Sequence, residues 1–428
     1  MGTPVYIAIS STDRTGDTVA DDTGFTYADT FSSLTSAQAD VTHGVKDISS
    51  GTGSDENYFY DVFNSYSEPP NILFDTNNWT IIDNLLVVRS APNYEHAGEP
   101  GSGIVITNSD SYQDMYRIGL RTLFKDLEFI ATAHGGSFLI EINGGGALRL
   151  IAKTSHLSGA DAAIRFGDSA LSKAVSCLAH NCGKSGISIA AWRNGTIYNC
   201  AAINNTEQGI KLGSSGGSGV YIRNNLSLDN AGGDYLDSGR AAYTATNNAS
   251  SDATALGTSA IINLTSTDEV ENAITPDPHL KAGNSLETLG VDLVNLSLLT
   301  ADEAKDIDGQ PFTGWPIGCD QPGSFTVPVK VTAYDAETLD PIVGADVYIK
   351  ADTGGPLPEG TEIASGTTDV NGEINVTPEF SSIQPVLIQG RKGTLTPFYN
   401  EGKTIGTITG DGFTGEVYMV TDEQILWL

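Results

Sequence analysis

The sequence predicts an all-β protein in which a long stack of coils precedes a small antiparallel β-sandwich. A repeat of 23 to 25 residues runs through the middle third of the chain. Short apolar runs with Asn and Gly corners fill this repeat, and no helical periodicity interrupts them. Beyond about residue 323 the pattern changes to alternating runs joined by turn residues. A fixed period of this kind is typical of a solenoid, because each coil can bury its apolar face only against its neighbours.

Three segments of the repeat align without gaps inside them. Asn181 matches Asn204 at a spacing of 23 residues. Ile187 matches Ile210 at the same spacing, and Ile210 matches Tyr235 25 residues later. We expect the aligned Ile and Tyr residues in the core and the aligned Asn residues at corners, where Asn tolerates left-handed backbone angles and its amide can bond along the stack. The aligned segments are 175–189, 198–212 and 223–237.

The flanking regions extend the stack in both directions. Residues 6–10 read as a strand, and residues 25–40 as a polar loop and a short helix that would cover the edge of the first coil. Residues 41–70 are polar and read as an irregular excursion. From residue 71 onwards β-rich runs recur, and residues 275–290 and 306–323 read as an irregular closure.

A domain boundary is expected near residues 323–324. The predicted domains are 1–322, a cap followed by the coils, and 325–428, a β-sandwich of about seven alternating runs. Asn371-Gly372 in the second domain is a sequence that suits a tight hairpin.

Charge excludes some classes of partner. The chain carries 53 acidic and 22 basic residues, a formal net charge of −31. Binding to phosphates needs clustered Lys and Arg, so we expect no nucleic-acid partner. No apolar run is long enough for a membrane span, and we expect neither a membrane partner nor a secretory signal. Solubility explains the acidity most simply, but scattered Asp residues can also bind calcium, the one ion left open.

The four cysteines do not form a zinc motif. Cys177 and Cys200 are one repeat apart, which places them about 4.8 Å from each other on neighbouring strands. A disulfide is conceivable at that spacing. A reduced ladder of small buried side chains is the preferred interpretation.

Two stretches now carry a resemblance to known families. The Asp-Ile-Asp-Gly element at 306–309 and Ile317-Gly318 resemble the final coil of right-handed parallel β-helix proteins that tailed phages encode. The family usually has an acidic residue and an aromatic next, where this chain has Cys319, Asp320 and Gln321. The resemblance covers 1–322 and implies a right-handed parallel β-helix on a virion. It implies partners among the capsid or tail proteins.

The C-terminal stretch is similar to immunoglobulin-like modules of the carboxypeptidase-regulatory type. The similarity rests on the Pro-Ile-Val-Gly-Ala turn at 341–345 and on Thr-Asp-Val-Asn-Gly at 368–372. Such modules act as spacers or adhesion domains on virion surfaces. The resemblance therefore implies a virion surface location, as a capsid decoration or as part of a fibre or tail spike.

Parallel β-helices also include lyases and glycosidases, so catalytic groups must be sought. The best carboxylate group in the repeat comprises Asp229, Asp234 and Asp237. Glycosidases need two carboxyls about 5 to 10 Å apart, which this group could supply. The preferred interpretation is solvated loop carboxylates. The ordered motifs of polygalacturonases are absent, the basic residues of the repeat lie beside no compact acidic cluster, and His180 reads as a turn or surface residue.

An exposed aromatic is the remaining signal for binding. Trp192 falls in a turn between coils, where its ring could stack on a sugar. The leading hypothesis is a non-enzymatic virion surface protein with no catalytic residue and no assigned metal. The alternatives are a tailspike-type polysaccharide depolymerase, acting as a homotrimer, and an adhesin that binds a host surface glycan.

Overall fold

The structure is a computed structural model, and the chain divides into two compact units, Met1–Gln321 and Pro322–Leu428. The residues it describes are 3–19, 25–40, 56–67, 72–74, 86–91, 100–108, 116–118, 122–132, 138–155, 162–167, 172–191, 193–214, 219–240, 242–274, 277–281, 283–312, 314–321, 325–326, 329–335, 338–351, 362–376, 379–380, 384–391, 395–397, 406–408 and 413–421.

Three parallel sheets of ten, eight and seven strands form the first unit, and the chain visits them in turn. Sheet A contains Tyr27–Phe31, Thr3–Ile9, Glu56–Val62, Leu86–Ser90, Thr122–Lys125, Gly146–Leu148, Lys173–Val175, Gly195–Tyr198, Val220–Arg223 and Thr244–Thr246. Sheet B contains Tyr66–Ser67, Val105–Asn108, Glu128–Ala131, Ile151–Thr154, Leu178–His180, Ala201–Ile203, Leu226–Leu228 and Ala249–Ser250. Sheet C contains Ile72–Phe74, Tyr116–Ile118, Phe138–Ile142, Ala162–Phe166, Ser185–Ile189, Ile210–Leu212 and Tyr235–Asp237.

The register of sheet C confirms the repeat predicted from the sequence. Ile164 pairs with Ile187, Ile187 with Ile210, and Ile210 with Tyr235. All four side chains are buried in the main core cluster, which lies inside the three sheets. The aligned apolar residues are therefore rungs of one continuous core.

The predicted corner asparagines occupy left-handed backbone conformations. Asn181, Asn204 and Asn224 have φ values of 48°, 54° and 58°. The amide of Asn204 donates to Oδ1 of Asn181 one coil earlier, over 2.6 Å. The sequence interpretation of these residues as stacked corners is confirmed.

A helix and an added strand complete the N-terminal end. Leu34–Ala39 is helical, Ser33 caps it, and the side chains of Leu34 and Ala37 join the main core. Tyr27–Phe31 forms a strand parallel to Thr3–Ile9 and becomes the first strand of sheet A. The stretch read as loop and helix thus also contributes this strand.

The closure forms a covering layer, which we call the closing segment and define as residues 266–321. Its regular elements are a short helix, an antiparallel strand pair and a 3-10 turn, at Ser266–Glu269, Val270–Asn272 with Asp277–Leu280, and Ser285–Glu287. Buried Leu286, Ile307 and Ile317 of this segment share a cluster with Leu178 and Leu226 on the outer face of sheet B. Burial of this apolar face is favourable because it removes the face from water.

Corner residues fasten the closing segment along several coils. The side-chain amide of Asn199 donates to the carbonyl of Pro316 over 2.8 Å, and that of Asn247 donates to Leu289 over 2.7 Å. The hydroxyl of Ser176 donates to the carbonyl of Lys305 over 2.6 Å.

The closing segment forms one apolar cluster with sheet B and a second with sheet A, where Leu293 packs with Val175. Within the described residues, neither cluster includes a residue of sheet C. The closing segment therefore packs on sheets A and B through these two clusters.

The cysteines of the first unit are free and buried, which agrees with the reduced ladder. The backbone N–H of Cys177 donates to Sγ of Cys200 over 3.4 Å. In the next coils, Asn225 and Asn248 take the equivalent positions, and the N–H of Cys200 donates to Oδ1 of Asn225 over 2.9 Å.

Two four-stranded sheets around one core form the second unit. The first contains Glu373–Val376, Val329–Asp335, Phe413–Thr421 and Leu395–Pro397. The second contains Glu362–Thr367, Asp346–Ala351, Gln384–Arg391 and Gly406–Ile408, and Phe325–Thr326 pairs with Glu379–Phe380 separately. Val331 and Ile349 from opposite sheets share the core.

The sandwich departs from the expectation in two places. Val329–Asp335 and Phe413–Thr421 pair in parallel, although the other pairs are antiparallel. The Asn371-Gly372 turn forms, since the N–H of Gly372 donates to Asp369 over 3.0 Å. It connects strands of opposite sheets, so the expectation of a hairpin was wrong. Among the described residues, no helix has the length and apolar character needed to cross a bilayer.

Candidate functional site

A cleft of about 380 Å³ lies on sheet C and extends from the fourth to the seventh coil, counted by the strands of that sheet. Arg165, Ser188 and Lys211 follow one another in register on three neighbouring strands. Adjacent strands are about 4.8 Å apart, so these side chains form a vertical row on the outer face. The cleft continues into the turns that follow the strands, where it is lined by Ala190, Ala191, Arg193, Gly213, Ser214 and Ser238.

Positive charge is concentrated in this cleft. Arg165, Arg193 and Lys211 line it, and none of the described lining residues is acidic. The chain as a whole has a formal net charge of −31. A cleft with one sign of charge focuses the field on its interior, so this cleft favours an anionic ligand despite the acidic surface around it.

Arg240 holds the backbone of three residues that line the cleft. Its guanidinium donates to the carbonyls of Arg193 over 2.8 Å, Ala190 over 3.1 Å and Gly213 over 3.4 Å. Asp237 sets the preceding turn, because its Oδ1 accepts the N–H of Arg240 over 2.8 Å. Burial lowers the pKa of Arg240. These contacts hold turns from three successive coils in fixed positions.

A hydroxyl in the middle of the row is available for a ligand. Ser188 is 2% exposed, and its Oγ has no hydrogen-bond partner among the described residues. A buried hydroxyl without a partner costs free energy, which a bound acceptor or donor would recover. Ser188 therefore supplies a polar contact between two cationic side chains.

Asp234, a predicted candidate acid, is tied into the end of the coil stack. Its Oδ1 accepts from the backbone and the amide of Asn230, over 3.2 and 2.7 Å. Its Oδ2 accepts from the N–H and the hydroxyl of Ser251, over 2.6 and 2.7 Å. Asp252 completes a reciprocal pair, since the N–H of each aspartate donates to the carboxylate of the other. These bonds occupy both oxygens of Asp234.

The three predicted carboxylates have different surroundings. Asp234 is buried, and burial raises the pKa of its carboxyl while hydrogen bonds from Ser251 and Asn230 oppose that shift. Asp229 is exposed, and its N–H donates to the hydroxyl of Ser251. Asp237 caps the turn that leads to Arg240. A catalytic role for this group stays a prediction.

The aromatic candidate Trp192 lies outside the described residues. Its two chain neighbours, Ala191 and Arg193, line the cleft. His180, expected in a turn or on the surface, instead ends a strand of sheet B and is 1% exposed, so that expectation was wrong. His180 pairs with Ile203 on the next strand of sheet B, and Ile203 belongs to the cluster that the closing segment covers.

A second polar cluster lies within the closing segment. His279 Nδ1 lies 2.5 Å from Oδ1 of Asp277, and its Nε2 lies 3.1 Å from Oδ2 of Asp308 and 3.4 Å from Oδ2 of Asp320. Burial lowers the pKa of His279, but Asp277, Asp308 and Asp320 outweigh it and raise the pKa to about 12. Burial raises the pKa of Asp320, which is 1% exposed.

In the sequence, the basic residues of the repeat indicate no site, because none lies beside a compact acidic cluster. Arg165, Ser188 and Lys211 are each separated by 23 residues, the spacing of the repeat itself. The 23-residue spacing therefore predicts this row when polar positions are aligned in the same way as the core positions. The cluster around His279 carries no such signal, because the closing segment follows no period.

One comparison with known proteins, the match to a family model, supports the fold. Residues 71–250 match the family model described as "Right handed beta helix region". The chain therefore contains a right-handed parallel β-helix, and the predicted fold class is confirmed. A crystal structure of pectate lyase Pel9A is 15% identical, with a TM-score of 0.32, over 74% of this chain and 88% of that chain. Similarity at this level carries no conclusion about activity. No curated protein matches the chain.

Proposed function

We propose that this protein is a non-enzymatic structural component at the surface of a tailed-phage particle. The observation that carries the non-enzymatic part is the bonding of Asp234, whose two oxygens accept hydrogen bonds from Asn230, Ser251 and Asp252. A general acid or nucleophile needs an oxygen directed at its substrate. These oxygens instead join the last full coil to the partial coil that follows it.

The virion part of the proposal rests on the resemblance of the final coil. The Asp-Ile-Asp-Gly element at 306–309 packs against Ile317-Gly318, with the N–H of Ile307 donating to the carbonyl of Cys319 over 2.8 Å. The partners are other capsid or tail proteins. We infer that the C-terminal sandwich is an immunoglobulin-like spacer or adhesion module.

Mass spectrometry of purified particles tests the proposal. Particles would be purified by density gradient from lysates of cells that produce them. We expect peptides from both units at a fixed ratio to the major capsid protein, and the ratio should persist after a high-salt wash. Absence of the chain from washed particles, with abundant chain in the soluble lysate, would contradict the proposal.

A second candidate function is binding of an acidic host surface glycan in the sheet C cleft. Arg165 and Lys211 are two strands apart on sheet C, and Ser188 lies between them. Carboxylate or sulfate groups of a glycan would accept hydrogen bonds from the guanidinium and ammonium groups. Trp192, next to two lining residues, stays the predicted aromatic contact.

Binding of acidic and neutral polysaccharides to purified protein tests this second candidate. We expect the acidic polymer to bind, more weakly at high salt, because screening weakens contacts between exposed charges. Arg165→Gln combined with Lys211→Gln should reduce affinity at least about tenfold, since two charge-assisted contacts are lost. Lys305→Gln removes one charge from the closing segment and should leave binding unchanged. Equal binding by all variants would exclude the cleft.

The depolymerase remains the enzymatic alternative and has a direct test. Recombinant protein would be incubated with capsular polysaccharide, and chain length would be followed by size-exclusion chromatography. Shortening of the polymer by the natural protein, abolished by Asp234→Asn with an unchanged circular dichroism spectrum, would establish this alternative over the proposed role. We expect no shortening by either protein.

A further inference from the structure

We propose that His279, Asp308 and Asp320 form a binding site for a divalent first-row transition metal ion that fastens the closing segment. One nitrogen of His279 and one carboxylate oxygen from each aspartate lie within 4.8 Å of one another. The three residues come from the strand Asp277–Leu280 and from the last part of the closing segment. This site is independent of the sheet C cleft and of the proposed virion role.

The distances between the ligand atoms suit such an ion. Nε2 of His279 lies 3.1 Å from Oδ2 of Asp308 and 3.4 Å from Oδ2 of Asp320. Ligands at about 2.0–2.2 Å from a tetrahedral zinc ion are separated by about 3.3–3.6 Å. An imidazole nitrogen with two carboxylate oxygens is a ligand set for zinc and its neighbours, whereas calcium takes six or more oxygen ligands.

Asp320 provides an independent reason to expect a ligand. This residue is 1% exposed, and its Oδ1 accepts the N–H of Gln321 over 2.9 Å. Its Oδ2 points at His279 but has no hydrogen-bond partner in the described part of the chain. A proton on Nε2 can be directed at Asp308, which leaves this oxygen unbonded. A metal ion on Nε2 would contact both carboxylates.

The charge balance favours a cation for the same reason. Asp277, Asp308 and Asp320 each have a carboxylate oxygen within 3.4 Å of a single imidazole. Among the described residues, His279 is the only cationic side chain in an ion pair with any of them. Uncompensated charge is unfavourable when it is buried. A divalent ion compensates two of these charges, which one imidazolium cannot do.

The surrounding groups resemble the outer shell of a metal site. Nδ1 of His279 lies 2.5 Å from Oδ1 of Asp277, which fixes the ring and leaves Nε2 for the ion. A carboxylate on the second nitrogen is the usual partner of a metal-bound histidine. Asp306 is not a ligand, because its two oxygens accept from the N–H of Gln310 and the amide of Gln321, each over 2.7 Å. The side chain of Asp308 is 19% exposed, which gives the ion a path to the site.

Zinc titration of the tag-free full chain, after removal of metals with a chelator, tests the proposal. Calorimetry should give one Zn²⁺ per chain, and saturating Zn²⁺ should raise the melting temperature. Asp308→Asn and His279→Gln should each weaken binding at least about tenfold and abolish the thermal shift. The matched control Asp268→Asn removes an exposed carboxylate from the same segment and should bind as the natural chain does.

Folding of the variants is checked by circular dichroism without metal, where Asp308→Asn should match the natural chain. Visible absorption of the Co²⁺-loaded protein gives a second measurement, and its bands should disappear in His279→Gln. Zinc uptake that is absent, unchanged by both substitutions, or weaker than uptake of Ca²⁺ would overturn the proposal.

Discussion

Asn225 forms two hydrogen bonds to one side-chain oxygen of Asn248, its counterpart in the next coil. The backbone N–H and the side-chain amide of Asn225 both donate to Oδ1 of Asn248, over 3.1 and 3.0 Å. The same amide donates to the carbonyl of Ile197 over 2.9 Å, and Oδ1 of Asn225 accepts the N–H of Cys200 over 2.9 Å. One buried side chain thus satisfies backbone groups of the preceding coil and bonds to the following one.

Asn225→Ala should destabilise the first unit by about 3 kcal/mol or more, because it leaves several buried groups without partners. Urea unfolding followed by circular dichroism measures the free energy. The control is Asn295→Ala, which removes an exposed amide bonded locally to Asp292 and should cost less than about 0.5 kcal/mol. Equal losses for the two variants would mean that the Asn ladder does not stabilise the stack.

Ile317 tests the importance of the closing segment. Its side chain is fully buried against sheet B, whereas Ile274 in the same segment is 80% exposed. Ile317→Ala should cost about 2–5 kcal/mol by leaving a cavity, and Ile274→Ala should be nearly neutral. Thermal unfolding of both variants measures the difference. A small effect of Ile317→Ala would show that sheet B does not need this cover.

The cysteines should remain reduced and unreactive in the folded chain. All four are buried, which keeps a thiol reagent away from them, and burial raises the pKa of Cys182 to about 12. Thiol titration should detect none in native buffer and four in denaturant. Two thiols in denaturant without reductant would instead reveal a disulfide.

His180 should make the first unit sensitive to acid. Burial lowers the pKa of its imidazole from 6.5 to about 3, so the folded chain binds this proton less readily than the unfolded chain. The contribution of neutral His180 to the free energy of unfolding is therefore fully present above pH 6.5. It falls by about 1.4 kcal/mol per pH unit as the pH drops toward 3.

The variant His180→Gln isolates this effect. Between neutral pH and pH 5 the natural chain should lose about 2 kcal/mol more than the variant in urea unfolding. Parallel pH profiles for the two proteins would show that His180 does not titrate as its burial requires.

The parts of the fold that repeat were predictable from the sequence. Ile187, Ile210 and Tyr235 share one rung because a parallel coil repeats its apolar and corner positions at a near-constant interval. Gly186 and Gly209 also align one repeat apart, and close packing explains why glycine occupies this position. A Cβ on Gly209 would lie 2.0 Å from Oγ of Ser227, so close approach of the next coil requires glycine there.

The parts that do not repeat were not predictable. Leu178 and Leu226 face outwards on sheet B, and only the closing segment explains why apolar residues occupy that face. His279 and Asp320 meet because this irregular segment folds back on itself, and no spacing in the sequence indicates that contact. Asp234 was selected by residue type, and its bonding partners could be seen only in the structure.

Electron cryomicroscopy of purified particles labelled with gold-conjugated antibodies against the chain tests the proposed location most directly. We expect gold at a repeated position on the particle surface, on the capsid or on the tail, with no label on particles produced without the gene. Unlabelled particles beside antibody-reactive soluble protein in the same lysate would contradict it.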